Sequence, residues 1–315
     1  MTGAVLGRET AAVRRVAVIG APTSAGAFSR GQEDAPAALR HAGLLEALTD
    51  AGVDAIDLGD IPRFAWRPDP SSPRAMNVAA VRQAAEAVAE RVREARNAER
   101  LPLIIGGDCT IELGTVLGFA DLAESPGLIY FDPHPDLNTP DSVVDGALDW
   151  MGVAHLLDLP GAVDELAGLG PRRPLLDSRV LLLLGASDTR TQPGERAAIE
   201  KLGLAIVSEA DLARDPARAA TDAVSRLTST GRSHLVHFDV DAVDFANAPL
   251  SENTDRNVGL TLEAALDALA AVLRDPAAAA LTVTELNPHH AAAVPGLIKR
   301  FTTGLAAAVA ERPFR

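Results

Sequence analysis

Two short stretches of this chain set carboxylates and imidazoles at alternate positions: Asp132-Pro133-His134-Pro135-Asp136 and His237-Phe238-Asp239-Val240-Asp241. In extended backbone, alternate side chains project to the same side. Asp132, His134 and Asp136 are therefore expected on one face, and so are His237, Asp239 and Asp241. Pro133 and Pro135 lack N–H groups and hold φ at about −65°, which makes the first stretch a stiff extended tip leaving a sheet, not an interior strand. Carboxylates gathered in this way repel one another unless a cation lies between them. A pair of divalent ions is the simplest remedy, and a carboxylate-rich set with one imidazole suits manganese better than a soft-ligand metal. Two ions about 3.5–4 Å apart acidify a shared water enough to supply hydroxide near neutral pH. A lone Asp after a strand is ordinarily a turn or a helix cap. Two alternating clusters in one chain lift the metal reading above that ordinary one.

The elements that must carry these residues repeat in a simple order. Apolar runs recur at Val16–Gly20, Val53–Leu58, Leu103–Ile105, Leu128–Phe131, Val180–Leu184, Leu204–Val207, Leu235–Val240 and Leu281–Thr284. Between them lie segments with helical spacing, among them Ala35–Ala51, Met76–Arg96, Arg214–Ser229, Leu262–Leu273 and Val294–Ala310. Alternating strand and helix implies parallel pairing with crossover helices, and continuous apolar strands imply a sheet buried on both faces. Periodicity leaves open whether that sheet is a doubly wound open one or a closed barrel. In both, ligands bind at the carboxyl ends of the strands, where Gly106-Gly107-Asp108-Cys109-Thr110 and Glu285-Leu286-Asn287-Pro288 join the two acidic stretches.

Composition removes several function classes. With 29 Lys and Arg against 43 Asp and Glu, the net charge of −14 leaves no basic surface for nucleic acid or for an anionic membrane. The single cysteine, Cys109, excludes a disulfide framework and a Cys-cluster zinc site. No apolar run has the length of a signal peptide core or a membrane span. A soluble, cytoplasmic protein is expected, with residues 1–14 as an N-terminal extension to a single domain.

Taken together, the motifs GGDxT, DxHxD, DxDxxD and ExNP, in that order, resemble those of the ureohydrolase family: arginase, agmatinase, guanidinobutyrase and formiminoglutamase. The resemblance runs over nearly the whole chain, through Ile19-Gly20-Ala21-Pro22, Gly31, Ala35-Pro36, Leu39-Arg40, Gly43-Leu44 and Asp57-Leu58-Gly59-Asp60. It implies a single three-layer α/β/α domain with an open, mostly parallel eight-stranded sheet, two manganese ions, a homotrimer or homohexamer, and hydrolysis of a guanidino C–N bond. By motif position, Asp132 and Asp239 would bridge both ions, His134 and Asp241 would complete one, and Asp136 and Cys109 the other. Asp136 would carry the proton from the attacking water to the leaving nitrogen, and Glu285 would pair with the guanidinium. Asn138 and Thr139 follow as in the arginase branch, whose Asn contacts a substrate α-carboxylate; this favours an arginine-like amino acid over a decarboxylated amine. Asp188 lies where that branch keeps acidic residues near the α-amino group, whereas Arg190 is unexpected there.

Two positions depart from the family pattern. Cys109 stands where a histidine ligand is usual. Its thiolate ligating the first ion is the favoured arrangement; weak binding through Asp132, Asp136, Asp239 and water, or loss of that ion around a buried cysteine, are the others. Asp149 occupies the place of a proton-shuttling histidine, and a carboxyl with an ordinary pKa of about 3.9 is a poor shuttle near pH 7 unless desolvated. Trp150 beside it could stack on a planar guanidinium or anchor the core. His237 is expected behind the ligands, orienting one of them. His234 and His155 are expected as packing or structural residues. The alternatives to an arginase-type substrate are N-hydroxyarginine, guanidinobutyrate, agmatine and formiminoglutamate. The non-enzyme alternative is a metal-binding arginase relative with impaired turnover.

Overall fold

The computed structural model describes residues 14–123, 125–228 and 232–313. Eight strands appear in the expected order: β1 (Arg14–Ala21), β2 (Val53–Asp60), β3 (Leu101–Gly106), β4 (Gly127–Phe131), β5 (Leu181–Ala186), β6 (Ala205–Ser208), β7 (His234–Asp239) and β8 (Ala278–Thr284). All pair in parallel in one open sheet of order β2-β1-β3-β8-β7-β4-β5-β6, so the barrel alternative falls. Of the expected N-terminal extension, residues 1–13 lie outside the described residues, while Arg14 already opens β1.

Burial along the strands explains the order. Every residue of β3, β4, β5 and β7 is buried, as a sheet covered on both faces requires. β2 and β6 are partly exposed and stand at the edges. Asp54, Asp57 and Asp60 charge the β2 edge against pairing with another chain. Side-chain alternation feeds two cores. Val18, Phe131 and Phe238 face one side, under helices that include Leu262–Leu273 and Leu297–Ala310. Ile19, Tyr130 and Leu183 face the other, under Val78–Asn97 and Ile111–Leu117.

The expected helix Ala35–Ala51 is two, Ala35–His41 and Leu44–Asp50. Gly43, at φ 86°, breaks it by adopting the left-handed conformation. Arg40 on the first of them holds Asp57 at 2.7 Å and Asp60 at 2.6 Å. Two of the motif fragments shared with the family therefore clamp an edge strand and touch no chemistry. Ser229, at the end of the expected Arg214–Ser229, lies outside the described residues, and the helix there spans Pro216–Thr228.

Topology places the site. The chain leaves β4 toward the β6 edge but leaves β7 toward β8 and the centre. A crevice opens between strands whose connections diverge in this way. The four motif-bearing strand ends, those of β3, β8, β7 and β4, are the four central neighbours. Phe131 is level with Phe238, and Asp239 with Thr284. Asp132 and Asp239 therefore emerge side by side.

Two buried histidines make the fold sensitive to acid. Burial lowers the pKa of both His155 and His234 from 6.5 to about 4. Because the folded value lies below the unfolded one, their stabilisation is complete above pH 6.5 and is lost as pH falls toward 4. Replacing either with Leu is expected to recover about 2–3 kcal/mol of stability at pH 4.5 relative to pH 7.5. Denaturant midpoints measured at the two pH values check this.

Candidate metal centre

Cys109, Asp132, His134, Asp136, Asp149, Asp239, Asp241 and Glu285 line one small cavity of ≈ 20 Å³. Each strand end contributes locally. Asp132 continues the β4 ladder, its N–H donating to the Leu184 carbonyl at 3.0 Å. Its Oδ1 then accepts the His134 backbone N–H at 2.6 Å, and Asp239 Oδ1 accepts that of Asp241 at the same distance. These two tight turns hold the aspartates against the strand ends. His134 Nδ1 lies 3.4 Å from Asp132 Oδ1 and 3.6 Å from Asp241 Oδ2, so the imidazole faces the carboxylates as the motif required.

The first stretch is not the straight tip that alternation suggests. Asp136 has φ 51°, and Glu285 has φ 61°. Non-glycine residues in this region are strained and persist only where their surroundings over-determine them. For Asp136 that determinant is the Tyr130 hydroxyl, which donates to Oδ2 at 2.5 Å. Glu285 accepts the Cys109 N–H at 2.9 Å and Gln32 Nε2 at 3.0 Å, while its own N–H donates to the Gly107 carbonyl. The Gly107 loop is in turn fixed by Asp108, which is wholly buried and accepts the N–H groups of Gly26 and Thr110. Gly26 closes the circuit by accepting from Leu148 and Asp149 at 2.6 and 3.1 Å. The wall opposite is aromatic: Trp150 stacks on Phe28 at 6.5 Å and meets the His134 ring edge-on at 5.2 Å.

Electrostatics argue for a cation in this cavity. Burial and mutual repulsion push Asp132, Asp136 and Asp239 well above the usual carboxylate range. Burial, then the nearby Asp239 and Glu285 carboxylates, push the Cys109 thiol up in the same way. Burial lowers His134. Asp132 Oδ2 and Asp241 Oδ1 are buried with no hydrogen-bond partner. A buried carboxylate oxygen without a partner costs free energy that a bound divalent ion removes. The donor set therefore fits two such ions. Cys109, Asp132, His237 and Asp239 bring one ligand atom each within 4.8 Å of one another, and His134 with Asp241 stands beside them.

A family model described as Arginase family matches residues 14–313. The chain belongs to the arginase family. It is 30% identical over 279 residues to Arginase-1 of Homo sapiens, covering 87% of this chain and 85% of that one. It superposes on the arginase from Bacillus caldovelox with a TM-score of 0.86 at 26% identity, covering 96% of this chain and 100% of that one. The formimidoylglutamase from Bacillus subtilis shares the fold, with a TM-score of 0.73 at 19% identity over 97% of this chain and 90% of that one. Members of the family are hydrolases of guanidino and amidino C–N bonds, and this chain is one of them. No helix among the described residues is long and apolar enough to cross a membrane.

Against this arginase-family frame, three expected substrate contacts stand apart from the cavity. Asn138 is buried just past Asp136, with Oδ1 accepting from Ser142 at 2.9 Å, and Thr139 beside it is half-buried. The Asp188 side chain is fully exposed and reaches Arg196 at 3.9 Å. It does not belong to the site, because the loop after β5 turns it outward: the Ser187 N–H is pinned to the Pro133 carbonyl and the Arg190 N–H to Ser187. Arg190, which looked out of place in the sequence, is the residue that turns inward. Its side chain is 7% exposed, Nη1 donates to the Asp241 carbonyl at 3.3 Å, and Nε forms an ion pair with Asp255 Oδ2 at 3.7 Å. Sequence reasoning also missed Tyr130, six residues from its partner Asp136, and Gln32 and Glu112, whose partners Glu285 and His237 lie 253 and 125 residues away. A residue pattern confined to one segment carries no signal for such contacts.

Proposed function

We propose that this chain hydrolyses the guanidino group of an arginine-like amino acid, releasing urea or a urea derivative and an amine. The observation that carries the reading is the convergence of Asp132, Asp239, His134 and Asp241 around orphaned carboxylate oxygens, with Glu285 fixed at the same cavity. Two divalent ions bound there, manganese in the family, would supply an acidified water and a Lewis acid. Asp132, Asp239, His134 and Asp241 would hold them together with Cys109 and Asp136.

Glu285, oriented by Cys109 and Gln32, pairs with the guanidinium and fixes its plane against Trp150. Water adds to the guanidino carbon and the bond from that carbon to the alkyl-bearing nitrogen breaks. Asp136 takes the proton that water loses and gives it to the departing nitrogen, with the Tyr130 hydroxyl holding its carboxyl in place. Arg190 meets the amino-acid end of the substrate, offering the cation that an α-carboxylate needs. Arg190→Ala is expected to raise KM about 10–100-fold with little change in kcat, the loss of one charge-assisted hydrogen bond. Steady-state kinetics check it.

Asp149 favours one member of this class. Its carboxyl lines the cavity, and burial together with Asp108 pushes its pKa well up. A protonated carboxyl can donate to an N-hydroxyl oxygen, and a hydroxylated guanidine needs less help from a shuttle histidine. A panel of arginine, N-hydroxyarginine, agmatine, guanidinobutyrate and formiminoglutamate, read as urea, hydroxyurea or amine release, tests both readings. Guanidino amino acids are expected to lead, with N-hydroxyarginine first. Turnover of none of them with both ions bound would remove the proposal, and arginine alone would remove the N-hydroxy preference.

A further inference from the structure

His237 lies directly against Cys109. Its ring is wholly buried at the end of β7 and stacks on Tyr130, with centroids 4.0 Å apart and planes 7° from parallel. Nδ1 faces Glu112 Oε2 at 3.4 Å. Nε2 faces Cys109 Sγ at 3.5 Å and Thr284 Oγ1 at 3.2 Å. Sγ lies 3.0 Å from Asp239 Oδ2, and Asp132 joins the same group of atoms, all within 4.8 Å of one another.

We propose that His237 is itself a ligand, so that the first ion sits among Cys109, His237, Asp132 and Asp239 in a thiolate–imidazole–carboxylate centre that prefers zinc, cobalt or ferrous iron to manganese. The proposal rests on the binuclear reading above and specifies one of its two sites.

Three observations carry it. A tetrahedral ion with bonds of about 2.3 Å to sulfur and about 2.0 Å to imidazole nitrogen sets those two atoms about 3.5 Å apart, the separation found here. Ligating imidazoles characteristically give their other N–H to a carboxylate. Glu112 occupies that place, and with Nδ1 protonated the Nε2 lone pair points at Sγ. Asp132, a member of the group, has its Oδ2 buried without a partner. The Thr284 hydroxyl, 3.2 Å from Nε2, would have to turn aside for an ion to bind. Thiolate and imidazole together rank late first-row metals above manganese. The second site, with His134 and the carboxylates, keeps the harder donor set. Asp136, named above among the holders of the ions, becomes on this assignment the proton-transfer group alone, one of its oxygens already receiving the Tyr130 hydroxyl.

The test uses the full chain stripped of metal and reloaded with cobalt(II). Two cobalt ions per chain are expected, with a near-ultraviolet thiolate-to-cobalt band that Cys109→Ser abolishes. Two hyperfine-shifted imidazole N–H resonances are expected in the proton NMR spectrum, one from His134 and one from His237. His237→Gln should remove one resonance and lower affinity for the first equivalent by about 100-fold or more. In competition, zinc should displace manganese from one site only. Two bound cobalt ions with a single shifted imidazole resonance, unchanged in His237→Gln, would overturn the proposal. The wild-type resonance count decides the matter if the variant does not fold. Failure here leaves guanidino hydrolysis standing, whereas failure of the functional reading shows as bound metal with no turnover of any substrate in the panel.

Discussion

Asp239→Asn is expected to lower kcat/KM by more than about 10³-fold while making the metal-free protein more stable. Both effects come from one charge. Asp239 accepts from the Asp241 N–H through Oδ1 and contacts Cys109 Sγ through Oδ2, so it belongs to both halves of the proposed metal centre. Asparagine keeps its shape and its acceptor oxygen but not the charge that holds an ion. Without metal that charge is a liability. Burial, then Asp132 and Asp241, raise its pKa well above the usual range. The sign follows: a folded value above the unfolded one gives stability that is complete below the unfolded pKa and lost as pH rises through the folded value. Near pH 7 the ionised group therefore weakens the metal-free fold, and removing it should add about 1–2 kcal/mol. Denaturant unfolding in chelator should show the variant to be the more stable protein. With metal in excess the order should reverse, because each wild-type site gains about 2.7 kcal/mol at an ion concentration 100 times Kd. A variant that retains turnover, or that is weaker than wild type in chelator, would contradict the metal assignment of this cavity.

Glu285→Gln is the second large effect, with an expected fall of about 10²–10³-fold in kcat/KM. A buried guanidinium left without its counter-charge costs about 3–4 kcal/mol. The fold should tolerate the change. The new amide can still accept the Cys109 N–H, and Gln32, whose Oε1 has no partner, can turn its amide to accept from the new donor. Unfolding midpoints should therefore stay close to wild type while the kinetics collapse. An equal loss of stability and activity would instead mark Glu285 as a structural brace for the Gly107 loop.

The strands were legible because their signal is local. Apolar runs of the length of Leu128–Phe131 or Leu281–Thr284 cannot be left in water, and the structure buries them nearly residue for residue. Helices with a broad apolar face, such as Leu262–Leu273, were equally clear. Pro193–Leu202 was not, because it buries no apolar residue fully, Ala198, Ile199 and Leu202 only partly, and is held by a capping box between Gln192 and Glu195. The metal-ligand candidates of the DxHxD and DxDxxD stretches were legible for a related reason. Each stretch places its groups within five residues, so little of their geometry depends on distant chain.

What only the three-dimensional arrangement decided is which groups meet across the sheet. Open sheet or barrel, the order that makes β3, β8, β7 and β4 neighbours, and the inward turn of Arg190 over Asp188 all depend on crossovers that periodicity does not encode. So do the bent backbone at Asp136 and the Glu112–His237–Cys109 line, whose members lie 125 and 128 residues apart. Sequence spacing controls side-chain direction over one turn of helix or a few residues of strand. Beyond that range, contacts are chosen by the packing of whole elements, and that packing turned a list of acidic residues into a centre with a place for an ion.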